Sequence, residues 1–190
     1  MSQNGGGERL GLVNASNEVL VAQPSGEAAA DLEAVFQDQY RNLTRAIATV
    51  IRDPACAEEL AVEVFLKWSR SRAAHGPHAR SWLYRTAIRM ALDELRRQGR
   101  RSRYDRLLDT IRHAPEPDTM LAAKEDAEKV RAVLSRMTPR QAELLLLRHE
   151  GFDYQELAAA LRLNPASVGT LLSRAQQTFR KEHIKAYGER

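Results

Sequence analysis

Apolar residues begin to recur with helical spacing near Asp31. Leu32, Val35, Phe36, Tyr40, Leu43, Ile47, Val50 and Ile51 follow at steps of three and four. That spacing places them on one face of a long amphipathic helix. Asp53-Pro54 marks a break and a restart, with Asp53 as N-cap and Pro54 at the first helical position, where its missing N–H costs nothing. Ala57, Leu60, Ala61, Val64 and Trp68 form the next stripe, to about Ser69. A polar loop follows through His75-Gly76-Pro77-His78. A third helix is predicted from about Ala79 to Gln98, with Leu83, Ala87, Met90, Ala91 and Leu95 inward.

The pattern then lapses. Pro115, Glu116, Pro117 and Asp118 mark residues 107–120 as a linker. A second helical unit begins near Met120, with Leu121, Val130, Val133, Leu134 and Met137 inward. Thr138-Pro139-Arg140-Gln141 reads as a capping box with proline at the first helical position. The helix it opens runs through Leu144–Leu147 and stops before Gly151. Asp153 with Glu156 is a second capping box, opening a short helix to Leu161. Asn164-Pro165 starts the last helix, which buries Val168, Leu172, Ala175 and Phe179. Helix, brief turn and helix make a helix-turn-helix pattern. No strand and no repeat is visible. The expected architecture is all-α: a leader at 1–26 predicted disordered from its Gly, Pro and Ser, a helical unit at 27–106, the linker, and a helix-turn-helix unit at 121–190.

Composition narrows the function. Of 190 residues, 43 % are apolar and 28 % charged, which is ordinary for a globular protein. The net charge of +4 favours an anionic partner. Charge is unevenly placed. Glu27–Leu66 holds eight acids and three arginines, whereas Arg80–Arg106 holds nine arginines and three acids. Two surfaces with different partners follow from that asymmetry. The one cysteine, Cys56, excludes an internal disulfide and reads as a small buried core thiol. No apolar run reaches a membrane span, and no signal peptide is visible, so a cytoplasmic protein without membrane insertion is expected. The five histidines (His75, His78, His113, His149 and His183) offer no metal-ligand spacing, and no catalytic set or phosphate loop is found. No cofactor and no enzymatic activity are expected; a small helical enzyme is a distant alternative.

Three constellations carry the candidate chemistry. The last helix would present Ser167, Gly169, Thr170, Ser173, Arg174 and Gln177 to a DNA major groove, with Arg148 alongside; the bland alternative is a helical hairpin with a solvated face. The arginine-rich helix carries Arg80, Arg85, Arg89, Arg96 and Arg97, interleaved with Trp82 and Tyr84. Rings and guanidinium groups together suit melted or single-stranded DNA. Trp82 is balanced between that role and a place in the core. The acidic helix carries Glu58, Glu59 and Glu63 with Phe65 and Trp68, which suits a basic protein partner or merely a solvated face.

In this order the motifs resemble a known family. Ala57–Trp68, Ser81–Ala87 with Ala91–Arg97, and Met137–Gln141 with Glu150–Phe152, Tyr154–Ala158 and Arg174-Ala175 look like the compact two-domain sigma factors of the extracytoplasmic-function (ECF) type. The resemblance covers about residues 31–182. It implies a sigma region 2 helical bundle and a sigma region 4 helix-turn-helix joined by a flexible linker. It implies docking on core RNA polymerase, at the coiled coil of the largest subunit and at the flap, through Glu58, Glu59, Leu60, Glu63, Phe65 and Trp68. It implies downstream promoter contacts by Arg72, His75, His78, Arg80, Trp82, Tyr84, Arg85, Arg89, Arg96 and Arg97, and melting of the duplex there. Arg148 and the face of the last helix would read the upstream element, and an anti-sigma factor is a further partner the resemblance allows. Two departures stand out. Ile88-Arg89 replaces the family's usual Arg-Asn, and Gly169-Thr170-Leu171 falls where cationic residues are common. Altered DNA preference is implied at both, and a sigma-like regulator that does not support initiation is the alternative function.

Overall fold

The computed structural model describes residues 26–71, 74–108 and 121–188, with side chains for 33–71, 74–101 and 125–188. The leader before residue 26, the centre of the linker, and Arg72 lie outside the described residues. Every regular element described is a helix: α1 (Gly26–Ile51), α2 (Pro54–Ser69), α3 (Ala79–Leu108), α4 (Leu121–Arg136), α5 (Pro139–His149), α6 (Tyr154–Leu161) and α7 (Pro165–Tyr187).

Local chemistry sets most of the boundaries. Asp53 accepts a hydrogen bond from the Cys56 N–H at 3.1 Å and starts α2 with Pro54 behind it. Asp153 and Glu156 form the reciprocal capping box of α6, each bond 2.8 Å. Asn164 caps α7 through the Ala166 N–H. Gly151 follows α5 at φ +85, a left-handed turn that favours glycine. The expected cap at Thr138 differs. Its hydroxyl donates to Gln141 Oε1 at 2.9 Å and makes no bond to the backbone, so the two side chains satisfy each other. α3 also runs on to Leu108, past the expected end at Gln98. Gly99 costs a helix interior only about 1 kcal/mol, and the arginines beyond it are good helix formers.

α1, α2 and α3 pack around Leu43, Ile47, Val50, Ala61, Val64, Trp68, Leu83, Ala87 and Ala91, all nearly inaccessible. The second core joins α4–α7 through Val133, Leu147, Phe152, Leu157, Val168, Leu172 and Ala175. Val130, predicted inward, is 40 % exposed at the rim of this core. Cys56 is only partly buried, on the first turn of α2 where the cap leaves it near solvent. Its thiol pKa is raised by burial first, then by Glu94, Asp53 and Glu59, which favours the protonated thiol. The two cores meet: α3 packs against α4, α5 and α6.

Candidate nucleic-acid and partner interfaces

α2 presents two faces. Ala57, Ala61, Val64, Phe65 and Trp68 point into the core. Phe65 meets Phe36 edge-on at 4.8 Å, and Trp68 is 2 % exposed. These two residues therefore support the docking helix from beneath. Glu58, Glu59 and Glu63 are exposed, and Leu60 is half-buried at the flank. Opposite the core lie Val62, 44 % exposed, and Leu66, 50 % exposed. Two large apolar side chains one helical turn apart, with carboxylates beside them, form a small exposed apolar patch of a kind that suits a protein partner. The sequence reading missed both. Their signal was present, since they fall one helical turn apart on the stripe that the core does not use.

The loop after α2 is fixed by Trp68. Its indole N–H donates to the Ala74 carbonyl at 2.9 Å, and the His75 ring lies 4.4 Å from the indole. A His75 ring nitrogen lies 3.0 Å from the Trp68 carbonyl. His75 is thus half-buried, whereas His78 is exposed at the entrance to α3.

α3 carries the basic face. Trp82, Arg85 and Arg89 recur at helical spacing and line one groove of about 340 Å³, together with Lys67, Thr86, Met90 and Asp93. Trp82 is half-buried, with one side against the fold and the other at the groove. A half-open ring flanked by three cations suits base stacking with phosphate neutralisation. Arg97 is paired with Glu94, which is held also by Gln98. The remaining candidates point elsewhere. Tyr84 is 4 % exposed and packs against Phe152 at 5.4 Å. Arg80 pairs with Glu156 at 2.9 Å, and Arg96 reaches the Ser135 and Met137 carbonyls. Both therefore touch the second unit.

In α7, Ser167, Thr170, Ser173, Arg174 and Gln177 are exposed on the side away from Val168, Leu172 and Ala175. They share one continuous face, with Lys181 beyond. Gly169 is half-buried; a Cβ there would sit 3.5 Å from the Tyr154 ring. Arg148 donates to the Phe152 carbonyl at 2.8 Å and lies 5.8 Å from the Tyr154 ring centre. Arg148, Tyr154 and Gly169 thus form one edge of the helix-turn-helix. The turn itself carries Arg162 in a left-handed conformation, φ 52, closed by the Leu163 N–H to the Ala158 carbonyl at 2.8 Å.

One further surface lies on the second unit. Val130, Leu134, Leu145, Leu146, His149, Gln176, Phe179 and Arg180 line an apolar groove of about 360 Å³ between α4, α5 and α7. Among the described residues no group of three His, Cys, Asp or Glu is placed to hold a metal ion.

Residues 35–101 match the family model Sigma-70 region 2, and residues 127–178 match Sigma-70, region 4. The ECF RNA polymerase sigma factor SigK of Mycolicibacterium vanbaalenii is 29 % identical over 185 residues, covering 93 % of this chain and 94 % of that protein. The ECF RNA polymerase sigma factor SigX of Bacillus subtilis is 24 % identical over 160 residues, covering 78 % and 81 %. Among solved structures, the sigma factor RpoE of Bartonella quintana, in complex with the anti-sigma factor NepR, aligns with a TM-score of 0.49 at 16 % identity, over 80 % of this chain and 96 % of that one. The first helical unit is thus region 2 and the second region 4, in the family's order, and the chain belongs to the ECF-type RNA polymerase sigma factors, non-enzymatic proteins that direct RNA polymerase to promoters.

Proposed function

We propose that this chain divides initiation among four surfaces. The outer face of α2, with Val62 and Leu66 among Glu58, Glu59 and Glu63, docks on the coiled coil of the polymerase's largest subunit. Carboxylates give the encounter its charge complementarity, and the two apolar residues give it a desolvated centre. The apolar groove at Val130, Leu146 and Phe179 receives the flap. The face of α7 from Ser167 to Gln177 enters the major groove of the upstream element, with Arg148 on the adjoining backbone.

The observation that carries this reading is the α3 groove, where Trp82, Arg85 and Arg89 converge with Lys67. Melting DNA requires a surface that holds unpaired strands better than duplex, and an aromatic ring among cations does so. His75, with its ring against Trp68, fixes the loop that leads into α3. Arg89 replaces an amide base reader of the family with a cation, so it contributes phosphate affinity and weak sequence preference. An inhibitory anti-sigma protein would have to cover the same two apolar patches. The chain works in the cytoplasm, where polymerase and chromosome are; no described helix is long and apolar enough to cross a membrane.

The test is Arg85→Glu combined with Arg89→Glu. The variant holoenzyme is expected to assemble normally and to leave promoter thymines unreactive to permanganate. Thymine reactivity equal to wild type would remove the melting role from this groove.

A further inference from the structure

α4 turns one arginine inward. Arg131 is 9 % exposed, and its Nη2 has no hydrogen-bond partner among the described residues. A guanidinium N–H taken from water without an acceptor is costly, more so than a neutral one. Burial pulls the Arg131 pKa below its ordinary value, and the Arg52 guanidinium adds to that, with Glu128 opposing. A second cation therefore lies close enough to repel it. Arg131 lines a groove of about 550 Å³ between α3 and α4, with Gln98 and Ser135 as polar neighbours and Tyr187 of α7 at the rim. That volume is in the range of small-molecule sites. Most other charges here have mates. Lys129 pairs with Asp126 at 3.1 Å, and Arg52 with Glu128 at 3.4 Å. Arg131 and Arg136 are left against the exposed carboxylate of Glu125, a surplus of positive charge.

We propose that this groove binds a phosphorylated small molecule, its phosphate held by the Arg131 guanidinium with Arg136 beside it. The planar fork of an arginine matches the oxygens of a phosphate, and a charge-assisted bond is strongest where water is excluded. Nη2 is sealed from solvent, so rotation of the guanidinium on its flexible stem brings that N–H to the ligand. A phosphate carries more charge than a carboxylate and answers both Arg131 and Arg136. It also offsets the repulsion between Arg131 and Arg52. The groove has room beyond the phosphate, and Tyr187 offers a ring face to an aromatic body there. This site shares no residue with the groove of Trp82, Arg85 and Arg89, and it lies off the Ser167–Gln177 face of α7. It is separate from the surfaces assigned to DNA.

Isothermal titration of the full chain at constant ionic strength tests this, with phenyl phosphate, inorganic phosphate and benzoate as probes. Saturable binding of phenyl phosphate is expected, with inorganic phosphate weaker and benzoate weaker still. Arg131→Met keeps an unbranched stem and removes the guanidinium. It should weaken phenyl phosphate at least about tenfold, the scale of one charge-assisted hydrogen bond. Without ligand the same variant should melt at or above wild type, because an unsatisfied buried cation has been replaced by an apolar group. Lost binding is then not lost folding. Arg85→Glu with Arg89→Glu should bind phenyl phosphate as wild type does, which separates the site from phosphate affinity on the DNA groove. Four results overturn the proposal: no saturable phosphate binding, benzoate binding as tight as phenyl phosphate, binding unchanged by Arg131→Met, or binding lost with Arg85 and Arg89. An Arg131→Met chain that melts well below wild type also overturns it, since the guanidinium would then be satisfied by the chain itself.

Discussion

Trp68→Phe isolates what the buried indole does for the loop that precedes α3. The indole N–H donates to the Ala74 carbonyl at 2.9 Å, and Ala74 is only 1 % exposed. Phenylalanine keeps an aromatic ring in the core but cannot donate. The carbonyl is then buried without that partner, at a cost of about 1–3 kcal/mol. The smaller ring adds a modest void, bringing the total to about 2–4 kcal/mol. A domain of this kind has about 5–15 kcal/mol to lose, so the variant should fold. The loss is local to the segment that carries His75 and His78. Urea unfolding followed by circular dichroism gives the midpoint shift, and Trp82 becomes the sole tryptophan, reporting on the α3 groove by fluorescence. Promoter opening should fall while binding to upstream DNA is kept. A stability change below about 0.5 kcal/mol, with unchanged amide exchange at residues 74–78, would refute the reasoning, because a buried acceptor cannot lose its donor so cheaply.

Three other outcomes follow from region 4. Asp153→Ala removes one half of the α6 capping box and should cost about 1 kcal/mol by thermal or urea unfolding, with Asp153→Asn recovering most of it. Gly169→Ala should stabilise α7 by about 0.5–1 kcal/mol, since the added methyl meets Tyr154 only at an ordinary 3.5 Å contact; weaker upstream binding by the same variant would show that DNA approaches closely there. The Glu150 pKa is raised above its ordinary 4.5, by burial first, with His149, Arg45 and Arg80 opposing. The fold thus favours the protonated acid, and that stability is full below pH 4.5 and lost as pH rises through the raised value. Glu150→Gln should therefore melt higher than wild type at pH 7, with the advantage vanishing below pH 4.5 in a melting series.

The helices were legible because they carry an apolar stripe, and α2, α6 and α7 begin on a short polar cap. Asp53, Asp153 and Asn164 act locally, and their bonds close within three residues. Thr138 misled because Gln141 competes for its hydroxyl, a choice that spacing does not encode. The reach of α3 to Leu108 was hidden by Gly99, which weakens a helix without ending one. The candidate face of α7 was readable from periodicity, as was the groove of Trp82, Arg85 and Arg89. What could not be read was the burial of Tyr84 and the pairing of Arg80 and Arg96. Their partners lie 39 to 76 positions away, across the linker, and no local pattern reports a contact between domains.

Promoter-directed initiation by this chain is tested by transcription in a purified system. Core RNA polymerase, this chain and fragmented chromosomal DNA are combined, and the 5′ ends of the transcripts are sequenced. Starts are expected that depend on the added chain and are preceded by two sequence elements at a fixed spacing. A chain that binds core polymerase and DNA yet yields no such starts would contradict it.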